Sequence, residues 1–418
     1  MQVLKNSSIY LVTSLFNKAI PFLLLPILTR YLSAAEYGII SIFQIIISLY
    51  TALIGMAIHT NISKNFFKYS KAQIASVIGN SIFILIISTL AVFIITCFAS
   101  VFYVSVFSVP SNWMIIVPII SFMFMINILN LTVLRMEGKA LLFGTFEILN
   151  TFINMGVSVL LLVVFHYGWI SRAIGISIAY FVFFIVSIIY MHKRDYLKFN
   201  INKKDLKSIL SISIPLVPHG IGGIVMALSD RLFIEKMVGL EAVGIYTVGY
   251  MFGMIILLFT DAFIKAWTPW FFKKLAMPSL NDKNQIVKYT YLYLGLLLIL
   301  ALMVSFIGNL LLPYFVDSKF FGAGVYIFWI ALGYVFFGIY QIFFPYLVHI
   351  KRTSFLAIST VIAALINLIL NYVLIKYFGA IGAAYSTIIS FAISAFLVFW
   401  YQKKHFWMPW ALSNKSRK

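Results

Sequence analysis

The chain has 418 residues, of which 63% are hydrophobic, 17% aromatic and only 10% charged, and its mean hydropathy is +1.03. A soluble domain carries roughly 25% charged residues, so the composition excludes a soluble fold and implies an all-α integral membrane protein. The net charge of +20 would suggest a nucleic-acid partner, but its placement along the chain argues against one, as the loops show below.

Each membrane span needs about 20 apolar residues. Twelve such stretches follow in chain order: 10–31, 38–59, 77–102, 113–134, 145–166, 172–191, 209–235, 243–264, 290–312, 325–348, 356–376 and 380–401. The basic residues alternate between their connecting segments. One side takes Lys5; Lys64, Lys68 and Lys71; Arg135 and Lys139; Lys193 to Lys207; Lys265 to Lys288; Lys351 and Arg352; and Lys403 to Lys418. The other side has only Arg30, Arg172, Lys236, Lys319 and Lys376. By the positive-inside rule both termini are cytoplasmic. The basic loops are therefore topology signals first, with anionic lipid headgroups as a secondary partner and no nucleic acid.

The second half echoes the first. Arg30-Tyr31-Leu32-Ser33-Ala34-Ala35-Glu36-Tyr37-Gly38-Ile39 resembles Lys236-Met237-Val238-Gly239-Leu240-Glu241-Ala242-Val243-Gly244-Ile245. Ile153-Asn154 likewise resembles Ile366-Asn367, and Tyr167–Gly175 resembles Tyr377–Gly382, in the same order. Six helices per unit keep both halves in one orientation, a parallel repeat about an axis along the membrane normal. The expected organisation is a six-helix half over 1–191, a basic cytoplasmic linker over 192–208, a second half over 209–401 and a cytoplasmic tail over 402–418. The two halves are expected to surround a central cavity.

Charges inside spans are costly and usually face a protein interior or a watery cavity. Lys18 lies twelve residues before Arg30, roughly 18 Å below the outer interface at about 1.5 Å per residue. Tyr10, Thr13, Ser14, Asn17, Lys18 and Pro21 form one polar stripe, which faces either a partner helix or a cavity. A cavity is favoured, because a lone Lys needs water or an anion to stay charged. On the seventh span, His219, Ser229 and Asp230 form a similar stripe behind Pro215 and Pro218. Arg231 is turned about 100° from Asp230, so the two need not pair, and it can snorkel toward the surface. His219 reads as a packing histidine before a proton relay. Glu147 sits close to a cytoplasmic helix start, where an acid is favoured. Trp113, Trp169, Trp267, Trp270, Trp400, Trp407 and Trp410 read as interfacial anchors.

Catalytic and metal sites are not expected. The sequence has no Gly-x-x-x-x-Gly-Lys-Ser/Thr loop, no Gly-x-Ser-x-Gly elbow, no His pair at metal-ligand spacing, and one cysteine, Cys97, within a span.

Several motifs resemble one family. Leu25-Pro26-Ile27-Leu28-Thr29-Arg30-Tyr31-Leu32 with Glu36-Tyr37-Gly38 looks like the first helix and turn of polysaccharide flippases. Ser229-Asp230-Arg231-Leu232-Phe233-Ile234 with Val243-Gly244-Ile245-Tyr246 resembles their seventh helix and following turn, and Ala266-Trp267-Thr268-Pro269-Trp270-Phe271 their eighth-helix exit. The chain is similar to O-antigen flippases of the Wzx type, in the multidrug/oligosaccharidyl-lipid/polysaccharide exporter (MOP) superfamily. The resemblance implies translocation of an undecaprenyl-pyrophosphate-linked oligosaccharide to the outer leaflet of the bacterial inner membrane. It implies alternating access without a cofactor, leaves open coupling to an H+ or Na+ gradient, and suggests a polysaccharide polymerase and chain-length regulator as partners. Lys18, Arg30 and Arg231 are the cations expected to contact the anionic head, with Asn17, His219 and Asp230 beside them. Asp230 either carries a coupling ion or holds Arg231. A small-molecule or multidrug antiporter of the same superfamily is the nearest rival, though one would be expected to carry a first-half carboxylate cluster. A membrane enzyme of polysaccharide assembly would need a long outer loop bearing Arg and His, and every outer loop here is short.

Overall fold

The computed structural model describes residues 9, 12–13, 16–17, 19–101, 108–214, 217–275, 279–350 and 352–410. Among these the chain is helical, with no strand. Ten helical stretches among them are long and apolar enough to cross a membrane, and their bounds follow the stretches read from hydropathy. The seventh stretch is not among the ten. Its C-terminal helix carries Asp230, Arg231, Glu235 and Lys236, and packing rather than hydropathy must hold it. The first stretch is described only in part.

The chain divides into two compact units, Met1–Ile224 and Val225–Lys418. The first contains α1 (Leu25–Tyr31), α2 (Ala34–Gly55), α3 (His59–Asn65), α4 (Lys71–Val101), α5 (Ser111–Met136), α6 (Ala140–Val163), α7 (Ile170–Lys193) and α8 (Lys203–Ser213). The division falls inside α9 (Val217–Met237). The second unit continues with α10 (Leu240–Gly253), α11 (Ile255–Leu275), α12 (Leu280–Phe315), a short 3-10 turn at Ser318–Ala323, α13 (Gly324–His349), α14 (Thr353–Phe378) and α15 (Ile381–His405).

The repeated sequence turns are repeated structural devices. Gly168 at φ +56° precedes α7, and Gly379 at φ +68° precedes α15. Both occupy the left-handed region that a Cβ disfavours, so each half uses glycine to reverse the chain into its last helix. The turn before α2 is closed by a capping box. The Ser33 amide donates to Glu36 Oε2 at 2.9 Å, and the Glu36 amide donates to Ser33 Oγ at 3.1 Å, which satisfies two end groups at once. Glu36 also accepts the Trp169 amide at 3.3 Å, tying this turn to the one before α7. Its counterpart before α10 uses Gly239, at φ +127°, in place of a side-chain cap.

The basic segment 192–208, expected to be a linker between halves, is packed into the first unit. Asn202 caps α8 by accepting the Asp205 amide at 2.8 Å. Asn80 donates to the Asn200 carbonyl at 2.9 Å and accepts the Asn202 amide at 3.1 Å, while Ser76 donates to Asp205 at 2.7 Å. Ile209 is fully buried in a cluster with Ile54, Ile58, Ile62, Ile78 and Leu129. Nearby, Glu137 accepts the Tyr196 hydroxyl at 2.9 Å and pairs with Lys139 at 2.8 Å, a contact that raises the Lys139 pKa. Hydrogen bonding and apolar burial thus join a segment that composition alone marks as a solvated charge run. Gly79 lets it approach: a methyl group there would overlap the Lys198 carbonyl. Gly79→Ala is therefore expected to cost about 1–3 kcal/mol, read as a lower melting temperature of the purified protein. An unchanged melt would show that the segment gives way freely.

Trp267, expected near a span end, is 5% exposed, packed among the rings of Phe263, Trp270 and Phe271, so its ring area also serves the core of the second unit.

Candidate functional site

In the first unit, α2 presents Gln44, Ser48 and Thr51 at i, i+4 and i+7, one face of a helix. Together with Asn154 of α6 and Arg172 and Tyr180 of α7, they line an open cavity of about 430 Å³. Phe124 of α5 also borders it and stacks on Tyr180 with ring centroids 4.6 Å apart. Arg172 is placed there by the glycine turn at Gly168 and lies in the first turn of α7, flanked by the buried small residues Ser171 and Ala173.

Arg172 is 4% exposed. Its Nη1 donates to Asn154 Oδ1 at 2.9 Å and Ser158 Oγ at 3.0 Å, and approaches Met155 Sδ at 3.1 Å. All three partners are neutral. No carboxylate pairs with this guanidinium among the described residues, and Nε and Nη2 have no hydrogen-bond partner there. Arg172 itself lines the cavity. Taking a charge out of water costs several kcal/mol unless a partner offsets it. Neutral acceptors offset only part of that cost.

The second unit holds its charge differently. Asp230 and Arg231 are 3% and 4% exposed and pair at 3.2 Å. Arg231 Nε donates to Thr247 Oγ1 at 3.3 Å, Nη1 to the Ala227 carbonyl at 3.3 Å, and the guanidinium lies 4.1 Å from the Tyr250 ring centroid. Tyr246 donates to Asp230 Oδ2 at 2.6 Å, and Tyr250 and Tyr334 share a hydroxyl contact at 2.5 Å. Of the two readings of Asp230, the pair fits the one in which it holds Arg231, while the expectation that Arg231 reaches the surface is corrected, since its side chain is buried. Although Cβ directions of adjacent helical residues diverge, the long Arg side chain folds back on Asp230 and is covered by tyrosines from α10. The result is a closed, neutral node linking α9 to α10 and α13.

The other sequence-selected residues scatter. Lys18, with Tyr10 and Ser14 of its stripe, lies outside the described residues, as does the side chain of His219. Asn17 donates to Glu147 Oε2 at 3.0 Å and accepts from Thr151 at 3.1 Å, and Thr13 is 3% exposed. The described members of that stripe thus form a seam with α6, where a cavity was favoured. Glu147, read as lying by a helix start, sits two turns into α6 and faces Asn17. Arg30 is exposed in the last turn of α1. Asp230 and Arg231 are brought together with each other, while Arg172, counted only as an outer-loop charge, forms the open site. One sequence signal did mark Arg172: it stands between the small residues Ser171 and Ala173, which leave room for close helix packing on both sides. Aligning Gly168 with Gly379 places Ala383 at its position in the second half, where Asn367 instead donates to Ser386 Oγ at 3.2 Å.

Comparison with known proteins decides the family. A family model described as polysaccharide biosynthesis protein matches residues 3–275. The chain belongs to this family. Proteins similar to it include protein 1 of the Lsg locus of Haemophilus influenzae, 25% identical over 92% of this chain and 96% of that protein. An uncharacterized membrane protein of the same organism is 24% identical over 91% of this chain and 90% of its own length. Among solved structures, an inward-facing multidrug resistance MATE family transporter of the MOP superfamily aligns with TM-score 0.73 at 15% identity, covering 94% of each chain. The lipid II flippase MurJ, in an inward closed conformation, aligns with TM-score 0.72 at 17% identity over 94% of this chain and 87% of that one. This family member therefore has the all-helical fold of MOP-superfamily transporters, a layout consistent with twelve helices in two halves.

Proposed function

We propose that the protein is a flippase that carries an undecaprenyl-pyrophosphate-linked oligosaccharide, an O-antigen or related surface-polysaccharide repeat unit, across the bacterial inner membrane. The match of residues 3–275 to the polysaccharide biosynthesis family carries this reading. The MOP transporter fold supports it, since that fold serves a lipid flippase as well as multidrug transporters. A lipid-linked pyrophosphate needs a hydrated cationic surface for its head while the polyprenyl tail stays in lipid. Arg172 supplies such a cation, and Lys18 and Arg30 of the first helix are proposed to meet the same head. Transport proceeds by alternating access of two six-helix halves, with both termini cytoplasmic, without a cofactor and driven by an H+ or Na+ gradient. The polymerase and chain-length regulator of the polysaccharide are its proposed partners.

A multidrug antiporter of the same fold is the competing reading, and Glu147 is the observation in its favour, as a carboxylate within a first-half span. It is the sole acid in those spans, which leaves a pumped organic cation without a carboxylate cluster.

The test is translocation of a fluorescent undecaprenyl-pyrophosphate-linked oligosaccharide in proteoliposomes carrying the purified protein. Movement to the opposite leaflet is expected with an imposed ion gradient and no ATP. Failure of the wild-type protein to translocate, or a strict need for ATP, refutes the proposal.

A further inference from the structure

Side chains of α8 fall into rows that run along the helix at i, i+4 and i+8. Asp205, Ile209 and Ser213 form the row turned to the first unit: Asp205 accepts from Ser76, and Ile209 and Ser213 are fully buried. Leu206, Leu210 and Ile214 form the next row, the leucines half-buried against the core and Ile214 exposed. Beside it run Lys203, Lys207 and Ser211, all exposed. These last two rows line one open groove of about 580 Å³. An apolar row thus separates the packed side of the helix from its lysines.

Those lysines are uncompensated. Asp205 is the sole acid of α8, and Ser76 and Asn202 both donate to its Oδ2. Lys203 and Lys207 form no ion pair among the described residues, and at i, i+4 spacing they repel each other. The surroundings repeat the same two chemistries. Lys198, Phe199 and Ile201 are exposed just before the helix. Asn61 of α3 donates to the Ser208 carbonyl at 3.3 Å, and Lys64, Phe67 and Lys68 at the end of α3 are exposed. Topology accounts for cytoplasmic lysines but does not require an apolar row beside them. A helix that joins such a row to lysines is suited to the headgroup region of a bilayer, and α8 stands in the chain between the span α7 and α9.

We propose that the groove on α8 is a site for an anionic glycerophospholipid of the cytoplasmic leaflet. Lys203 and Lys207 meet its phosphate, and one acyl chain lies along Leu206, Leu210 and Ile214. The bound lipid holds the run from α7 into α9 at the membrane surface. The inference goes beyond the flippase reading and does not depend on what is transported.

The test uses the full-length protein with Cys97→Ser and Ser211→Cys, labelled with bimane at the introduced thiol, in nanodiscs of phosphatidylcholine. Brominated acyl chains that reach the groove quench the label. Brominated phosphatidylglycerol is expected to reach half-maximal quenching at a mole fraction about thirtyfold below that of brominated phosphatidylcholine, about fivefold for each lysine. Lys203→Gln/Lys207→Gln, at exposed positions, is expected to abolish that preference. Lys403→Gln/Lys404→Gln, at exposed positions in the last turn of α15, is expected to retain it. Equal quenching by the two lipids, no quenching by either, a preference that survives Lys203→Gln/Lys207→Gln, or one lost equally in both double variants would each overturn the site. Unlabelled undecaprenyl phosphate that relieves the quenching at a lower mole fraction than unlabelled phosphatidylglycerol would overturn the glycerophospholipid assignment in favour of the carrier lipid. Failure to translocate lipid-linked oligosaccharide overturns the flippase reading and leaves the lipid site standing.

Discussion

Asp230→Ala is expected to destabilise the protein by about 3–5 kcal/mol, the usual cost of leaving one buried charge without its partner. Arg231 is held between Asp230, Thr247, the Ala227 carbonyl and the Tyr250 ring. Removing the carboxylate leaves a full positive charge in a space that is 4% exposed and strips the Tyr246 hydroxyl of its acceptor. Proteins are stable by about 5–15 kcal/mol in total, so the variant should fall to a small yield of folded material with a sharply lowered melting temperature in detergent. The double variant Asp230→Leu/Arg231→Met should melt higher than Asp230→Ala, because it deletes both desolvation penalties together. Were the double variant no better than the single one, the pair would not be the stabilising unit described here. A melting temperature unchanged by Asp230→Ala would rule out the closed node itself.

Arg172→Ala is expected to act in the opposite manner, on transport more than on stability. The side chain leaves behind only neutral partners, Asn154 and Ser158, and Ser158 has a second contact to the Asn154 carbonyl at 2.6 Å. No charge is stranded by the substitution. If the guanidinium meets an anionic headgroup through charge-assisted hydrogen bonds of about 1.5–3 kcal/mol, its loss should slow translocation of lipid-linked oligosaccharide about tenfold to a hundredfold with a melting temperature close to wild type. Lys273→Ala, at an exposed position near the end of α11, provides the comparison and should transport normally. Equal rates for the two variants would remove Arg172 from the transport path. A collapse of folding in Arg172→Ala would make it a structural counterpart of Arg231.

These two arginines illustrate where reading the chain succeeds and where it stops. Both are charges in apolar surroundings, and hydropathy can place each only to within a turn or so along its helix. Whether an arginine is neutralised depends on what lies across from it on other helices. For Arg231 that is Tyr246 and Tyr250, fifteen and nineteen residues away, beside an adjacent Asp230 that helical geometry alone would turn aside. For Arg172 it is Asn154 and Ser158, on the preceding helix. The sequence assigned Arg172 to an outer loop because it stands beside a turn, and the positive-inside rule has no means of distinguishing a loop cation from one tucked inward in the first turn of a helix. Asn17 shows the converse. Its polar stripe was legible from spacing, but spacing is blind to the carboxylate of Glu147 that receives it.

The linear chain by itself determined the membrane setting, the helical class and the approximate bounds of the spans, because those follow from the number of consecutive apolar residues and the need to satisfy backbone groups in lipid. It also revealed the internal repeat, since the glycine turns before α7 and α15 impose a local backbone requirement that few other residues meet. Tertiary structure decided the rest. It joined the 192–208 segment and the helix that continues it to the first unit through Asn80, Ser76 and Ile209, closed the Asp230–Arg231 pair under tyrosines, and set Arg172 beside a polar cavity with neutral partners only. Each of these outcomes depends on groups far apart in sequence meeting at hydrogen-bond distance, and no local propensity or hydropathy pattern encodes that distance.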